Sequence, residues 1–150
     1  MPSLTGLGAP QWDPDARGAI FGITRGTTKA HIARATLDAV AFQVRGVVDA
    51  MSSDFGFALK SLRVDGGAAA SDLLLQTQSD CLGIPVLRGE NLATTGLGAA
   101  MMAGLGAGVW PDLESLRHVF TLDRAFEPAE FDESRYARFT TAIELSRIFK

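Results

Sequence analysis

The sequence predicts an α/β fold that is incomplete on its own. Two β-type runs, at 59–64 and 85–88, alternate with stretches of helical period, the pattern of parallel strands joined by crossover helices. Two strands make a poor sheet, because independent stability takes three or more plus a face to pack on. A length of 150 residues fits one compact domain.

Each element has its own signal. Residues 1–27 read as loop and turn, punctuated by Gly6, Gly8, Pro10, Pro14 and Gly18, with Ala19-Ile20-Phe21-Gly22-Ile23 as a short strand. Thr27 or Thr28 caps a helix that runs to about Met51. At about 100° per residue, Leu37, Val40, Val44, Val47 and Met51 fall on one side. Arg34, Asp38, Arg45 and Asp49 cluster opposite as two i,i+4 pairs, so the spacing predicts a surface helix with its apolar stripe on the core. The run 59–64 is a strand that ends at Asp65-Gly66-Gly67. A helix over about 71–82 follows, with Ser71 or Asp72 as cap and Gly83 as stop. After the strand at 85–88 come a small-residue helix at about 95–106 and a short helix from Pro111 and Asp112 through Phe120. Past Pro128, a last amphipathic helix covers about 132–149, with Tyr136, Phe139 and Ile143 at 3-and-4 spacing. The chain thus divides into a loop region at 1–27, an α/β core at 28–127 and a C-terminal helix at 128–150.

Composition excludes several classes. With 47% hydrophobic residues, 14 Lys+Arg and 17 Asp+Glu, the chain is of globular type and carries a net charge of −3. No Lys/Arg cluster offers a footprint for a phosphate backbone, so no nucleic-acid partner is expected. Cys81 alone makes no internal disulfide, and with two histidines it cannot close a zinc site, which suits a reducing, intracellular compartment. Met1 to Thr5 lead into Gly6-Leu7-Gly8-Ala9-Pro10 with no basic or apolar targeting segment. Residues 91–111 are uncharged, and Gly96, Ala100, Gly104 and Gly108 recur every fourth position, the small-xxx-small spacing of membrane helices. Their weak hydropathy favours a buried helix of a soluble domain, whose Gly/Ala ridge lets another backbone approach, over a membrane span.

The sharpest candidate for chemistry is Val64-Asp65-Gly66-Gly67-Ala68-Ala69-Ala70-Ser71-Asp72, a strand passing through two glycines into a helix. Glycines there let backbone approach a flat or charged ligand, and the helix N-terminus behind them offers N–H groups and a positive dipole end. The turn is neither a P-loop nor a Rossmann fingerprint, and from the residues alone a purely structural Gly-Gly turn is the simpler reading. Asp13, Asp15 and Asp65 are carboxylates near loops, of which Asp13-Pro14-Asp15 reads more simply as a turn. His31, in the first turn of its helix, is expected neutral; His118 reads as a surface residue and Cys81 as a small core side chain.

The chain also resembles a known family. The stretch Thr5-Gly6-Leu7-Gly8-Ala9-Pro10-Gln11-Trp12-Asp13-Pro14-Asp15, continuing through Gly26, resembles the glycerol kinases. Gly18-x-Ile20-x-Gly22-Ile23 followed by His31-Ile32-x-x-Ala35-Thr36-Leu37-Asp38 is similar to the C-terminal signature of the wider FGGY carbohydrate kinases. Val64-Asp65-Gly66-Gly67 and Thr94-Thr95-Gly96-Leu97-Gly98-Ala99-Ala100 resemble further blocks of that family, in order, and the likeness fades after about Pro128.

The resemblance implies part of a ribonuclease-H-like, actin/hexokinase-type ATPase domain that lacks its first strands. It implies a cytoplasmic kinase that moves a phosphoryl group from Mg-ATP to a polyol. It places Gly66 and Gly67 on the adenosine side of ATP or ADP, and Ser71 where the family commonly has Asn, so that a hydroxyl of shorter reach stands in. Gly96 stands where Ala is usual, which loosens an interior helix by about 1 kcal/mol. The family's catalytic base, polyol-binding residues and Mg- and phosphate-binding loops all lie upstream. No catalytic or metal residue is therefore carried onto this chain, glycerol is a partner only with the missing portion, and the chain alone is expected to be inactive. Two alternatives stand beside this: a non-catalytic remnant or interaction module, and part of a kinase for another polyol or sugar. Without the upstream strands, apolar surface should stay exposed and favour self-association or docking of the missing half.

Overall fold

The computed structural model describes residues 1–148, with His118 described by its backbone alone; the predicted surface position of that side chain, and Phe149 of the predicted last helix, lie outside the described residues. Helix α1 spans Lys29–Phe55. The extended Thr28 precedes it, with its N–H donating to His31 Nδ1 at 3.1 Å, which closes the first turn. The helix runs a turn beyond Met51 because the left-handed stop is Gly56, at φ 71°, whose N–H reaches Ser52 O.

Both predicted ion pairs of α1 form, Arg34–Asp38 at 2.8 Å and Arg45–Asp49 at 3.6 Å. Their face is only partly solvated, however, with Arg34 and Asp49 exposed and Asp38 and Arg45 half-buried. Asp38 also takes Arg135 at 2.7 Å, while Arg45 pairs with Glu133 at 2.9 Å and lies 4.1 Å from the centre of the Tyr136 ring. The charged side of α1 therefore docks the last helix, α4 (Glu133–Ile148), which buries Phe139, Ile143 and Ser146. The residues α1 itself buries are Ala39, Ala41, Phe42 and Val48. The predicted core-facing stripe needs correction: Leu37, Val40, Val44 and Val47 are half-buried and Met51 is exposed. Val40, Val44, Val47 and Met51 line an open apolar groove of about 700 Å³ that also takes in Leu62 and Tyr136. Leu37 and Val40 do pack against the cluster around Phe42, so the stripe faces the core at its first half and the open groove at its second.

Strands β1 (Leu62–Val64), β2 (Val86–Gly89) and β3 (Leu122–Phe126) form one sheet in the order β1-β2-β3. β1 and β2 are parallel, as predicted, with Leu62 opposite Val86. β3 is an addition to the predicted pair and runs antiparallel to β2, Phe126 opposite Val86. Its sequence, Leu-Asp-Arg-Ala-Phe, has no apolar alternation because only Phe126 is buried. Helix α2 (Asp72–Leu82) has the predicted Ser71 cap, with Ser71 Oγ accepting from Leu74 N–H, and the predicted Gly83 stop at φ 67°. Ser79 ties α2 to the sheet through Phe126 O at 2.7 Å. One apolar cluster gathers around Phe42, Leu74, Cys81, Phe139 and Ile143; a second, of Ala69, Leu75, Val86 and Phe126, lies between α2 and the sheet.

Two further expectations are corrected. Residues 19–23 form no strand: Ile20 and Ile23 are each 62% exposed, and no described strand lies alongside to pair with the run. Helix α3 (Thr94–Gly106) buries none of its residues, so it is a surface helix, not a buried one. Its close approach is made by an indole: a Cβ on Gly104 would sit inside the Trp110 ring, while Gly96, Gly98 and Gly106 face open space. The short helix expected through Phe120 is a 3₁₀ turn at Glu114–Val119, with Asp112 accepting from Ser115 N–H just before it. Among the described residues, no helix is long and apolar enough to cross a membrane.

Candidate functional site

The turn between β1 and α2 brings Gly66, Gly67 and Ser71 together in seven residues. Gly66 takes φ 84° and ψ 171°, a region open essentially to glycine alone, and its N–H donates to Leu92 O at 2.9 Å. A 3₁₀ turn at Gly67–Ala70 follows, closed by Ala69 N–H to Gly66 O at 3.0 Å and Ser71 N–H to Ala68 O at 3.1 Å. Gly67 has ordinary φ, yet a Cβ built on it meets nothing within 4 Å. Both glycines are open on the Cβ side, and they differ in backbone demand: Gly66 is required by its φ, whereas Gly67 is not. Ser71 is half-buried, and its Oγ accepts from Leu74 N–H at 3.3 Å, a role that does not use its own hydrogen. Behind the turn, Ala69 is buried in the cluster with Leu75, Val86 and Phe126.

The electrostatics come from residues the sequence reading passed over. Arg88 Nη1 lies 2.7 Å from Asp72 Oδ1 and donates to Ala69 O at 3.1 Å, while its Nε reaches Asp123 at 2.6 Å. Arg124 holds the other oxygen of Asp72 at 2.6 Å. Hydrogen bonds to Asp123 first and Asp72 second push the Arg88 pKa above its ordinary value. A signal existed in the sequence: with a strand period of two, Arg88 shares the face of the buried Val86 and so points toward α2, an unusual register for a charge.

The other candidates have structural roles. Asp13 is buried, accepts from Asp15 N–H at 3.1 Å and pairs with Arg147 at 3.2 Å, which anchors the loop to α4. Asp15 and Asp65 are exposed. Cys81 is buried against α1, where desolvation pushes its thiol up to about 12. Among the described residues, no group of three or more His, Cys, Asp or Glu side chains is placed to hold a metal ion.

Comparison places this fold and turn in a class. The FGGY family of carbohydrate kinases, C-terminal domain, matches residues 1–107, and the chain belongs to that family. Among curated relatives, it is 56% identical over 139 residues to a glycerol kinase of Dechloromonas aromatica, covering 93% of this chain and 28% of the relative. It is 52% identical to a glycerol kinase of Ligilactobacillus salivarius over the whole chain, which is 30% of that protein. The crystal structure of Plasmodium falciparum glycerol kinase with ADP superposes with a TM-score of 0.78 at 34% identity, over 97% of this chain and 30% of that one. The architecture is accordingly a partial actin/hexokinase-like ATPase domain. The chain spans about a third of the length of the relatives it matches.

Proposed function

We propose that this chain is the nucleotide-binding C-terminal portion of an ATP-dependent glycerol kinase, which converts glycerol and ATP to glycerol 3-phosphate and ADP together with the upstream portion. The observation that carries the reading is Gly67: a glycine that its own backbone does not need, open on its Cβ side, near Ser71, whose cap role does not use its own hydrogen, in a chain more than half identical to a glycerol kinase. Gly67 lets the backbone meet the adenosine end of the nucleotide, Gly66 shapes the turn, and Ser71 donates to it from the start of α2. The positive end of α2 favours the anionic side of the same ligand.

Phosphoryl transfer rests on positioning and on stabilising charge at the moving group, and this chain supplies the positioning of one end of one substrate. The base, the glycerol site and the Mg ligands belong to the upstream portion, which seats in the apolar groove between α1 and α4, beside the edge strand β1. Alone, the chain binds nucleotide and has no kinase activity. The supporting experiment is a thermal melt with and without ADP. A ligand at ~100 times its dissociation constant adds about 2.7 kcal/mol, hence several degrees in Tm. A cooperative melt that ADP leaves unmoved refutes the nucleotide reading and favours a non-catalytic remnant. Turnover of glycerol by the chain alone refutes the division of labour.

A further inference from the structure

We propose that Arg88 is a positioning residue for nucleotide binding: its guanidinium clamps the turn at 66–72 through Ala69 O and Asp72, and neutralises a carboxylate that otherwise faces the incoming anion. This rests on the nucleotide reading of that turn. Arg88 comes from β2, and its side chain is only 14% exposed. Its planar fork spends one nitrogen on Asp123 of β3 and another on both Ala69 O and Asp72 Oδ1, so one side chain joins the sheet, the 3₁₀ turn and the first residue of α2. The bonded atoms lie two and five residues after Gly67, so losing them frees the turn without altering Gly67 itself. Asp72 suits the N-terminus of α2 electrostatically, but an unpaired carboxylate there opposes a phosphate-bearing ligand. Arg88 offsets it from β2 in the same grip that holds the turn carbonyl.

Arg124 is a built-in control. It pairs with Asp72 at 2.6 Å from a side chain 55% exposed, and the turn carbonyl bonds to Arg88 instead. If charge on Asp72 alone mattered, the two arginines would be equivalent for binding. If the clamp matters, they are not.

The test is calorimetric titration of ADP into the 150-residue chain, as wild type, Arg88→Gln, Arg88→Lys and Arg124→Gln, with urea midpoints to fix the folded fraction. Arg88→Gln is expected to weaken ADP about tenfold or more, the scale of a lost charged hydrogen bond. Arg88→Lys keeps the charge but loses the fork, so it recovers part of that loss and carries the test should the Gln variant fail to fold. Arg124→Gln stays within about twofold, as an exposed pair does. Amide exchange at 68–72 speeds up in the Arg88 variants alone. A wild type that binds ADP beside Arg88 variants that bind it equally well overturns the assignment and leaves the nucleotide reading standing. An Arg124→Gln loss as large as that of Arg88→Gln overturns it too. A folded wild type that binds no ADP overturns both readings.

Discussion

The two glycines of the turn can be separated by experiment, because the structure gives each a different reason to be glycine. Gly66 sits at φ 84°, ψ 171°, where any other residue costs about 1–3 kcal/mol. Gly66→Ala should therefore lower the unfolding free energy by that amount, and the midpoint by roughly 2–4 °C for each kcal/mol in a domain of this size. Gly67 has no such demand, and its Cβ direction is empty to 4 Å. Gly67→Ala should be neutral or stabilising by about 0.4–1 kcal/mol through the unfolded chain, and Gly67→Val should stay within about 1 kcal/mol. With ADP present the order reverses. The valine methyls fill the space through which the ligand approaches, so the roughly 2.7 kcal/mol that ADP adds at a hundredfold excess over its dissociation constant should be lost. The assay is urea denaturation of each variant with and without ADP. A Gly67→Val chain that keeps the full ADP increment refutes the open position as the contact point. A Gly67→Val chain that unfolds as readily as Gly66→Ala refutes the distinction between the two glycines.

Three other outcomes follow from the packing. Phe42 sits edge-on to Phe131 and Tyr136 and 5.4 Å from Phe139, so Phe42→Ala should cost about 3–5 kcal/mol in urea denaturation and free α4 from α1. Burial raises the Cys81 thiol from 9.0 to about 12 in the folded chain; the unfolded chain ionises first, so stability is intact below pH 9 and falls as pH rises above it. Urea midpoints across that range should fall less steeply for Cys81→Ala than for wild type, by up to about 1.4 kcal/mol per pH unit, and a slope unchanged by the substitution would be contrary evidence. The groove on α1 should bind a hydrophobic dye and promote self-association, and Met51→Lys, on an exposed methionine of its lining, should weaken both; a wild-type chain that is monodisperse and dye-silent would disprove this.

How far the sequence could be read depended on whether the deciding partner was local. The Ser71 cap, the Gly83 stop and the Arg34–Asp38 pair are set within a few residues, and all appear where spacing put them. The boundaries of β1 and β2 moved by up to three residues, but their parallel pairing held. β3 was illegible because its reason to be a strand lies on β2: the ladder, the Arg88–Asp123 pair and one buried Phe126. The stripe on α1 was legible as apolar, but which helix face meets α4 depended on Arg135 and Glu133, roughly a hundred residues away. In the site, Gly66, Gly67 and Ser71 were visible as a run, whereas Arg88 needed the strand register and the position of Ala69 to acquire meaning.

The exposed groove and the turn draw on different residues, apart from Leu62, which lines the groove and packs against the cluster beneath the turn. The groove is lined by the N-terminal loop, α1, Leu62 and α4, and none of Gly66, Gly67, Ser71 or Arg88 lies among its walls. The turn hangs instead from the second cluster, where Ala69, Leu75, Val86 and Phe126 pack without help from α1. The turn at 66–72 is therefore held chiefly by packing that lies outside the groove. Substitutions in the groove should change self-association and docking of the upstream portion with little effect on ADP, and substitutions in the turn should do the reverse. If Met51→Lys weakened ADP as much as Gly67→Val, the two surfaces would have to be one coupled unit, and the local geometry of the turn would no longer suffice to explain binding.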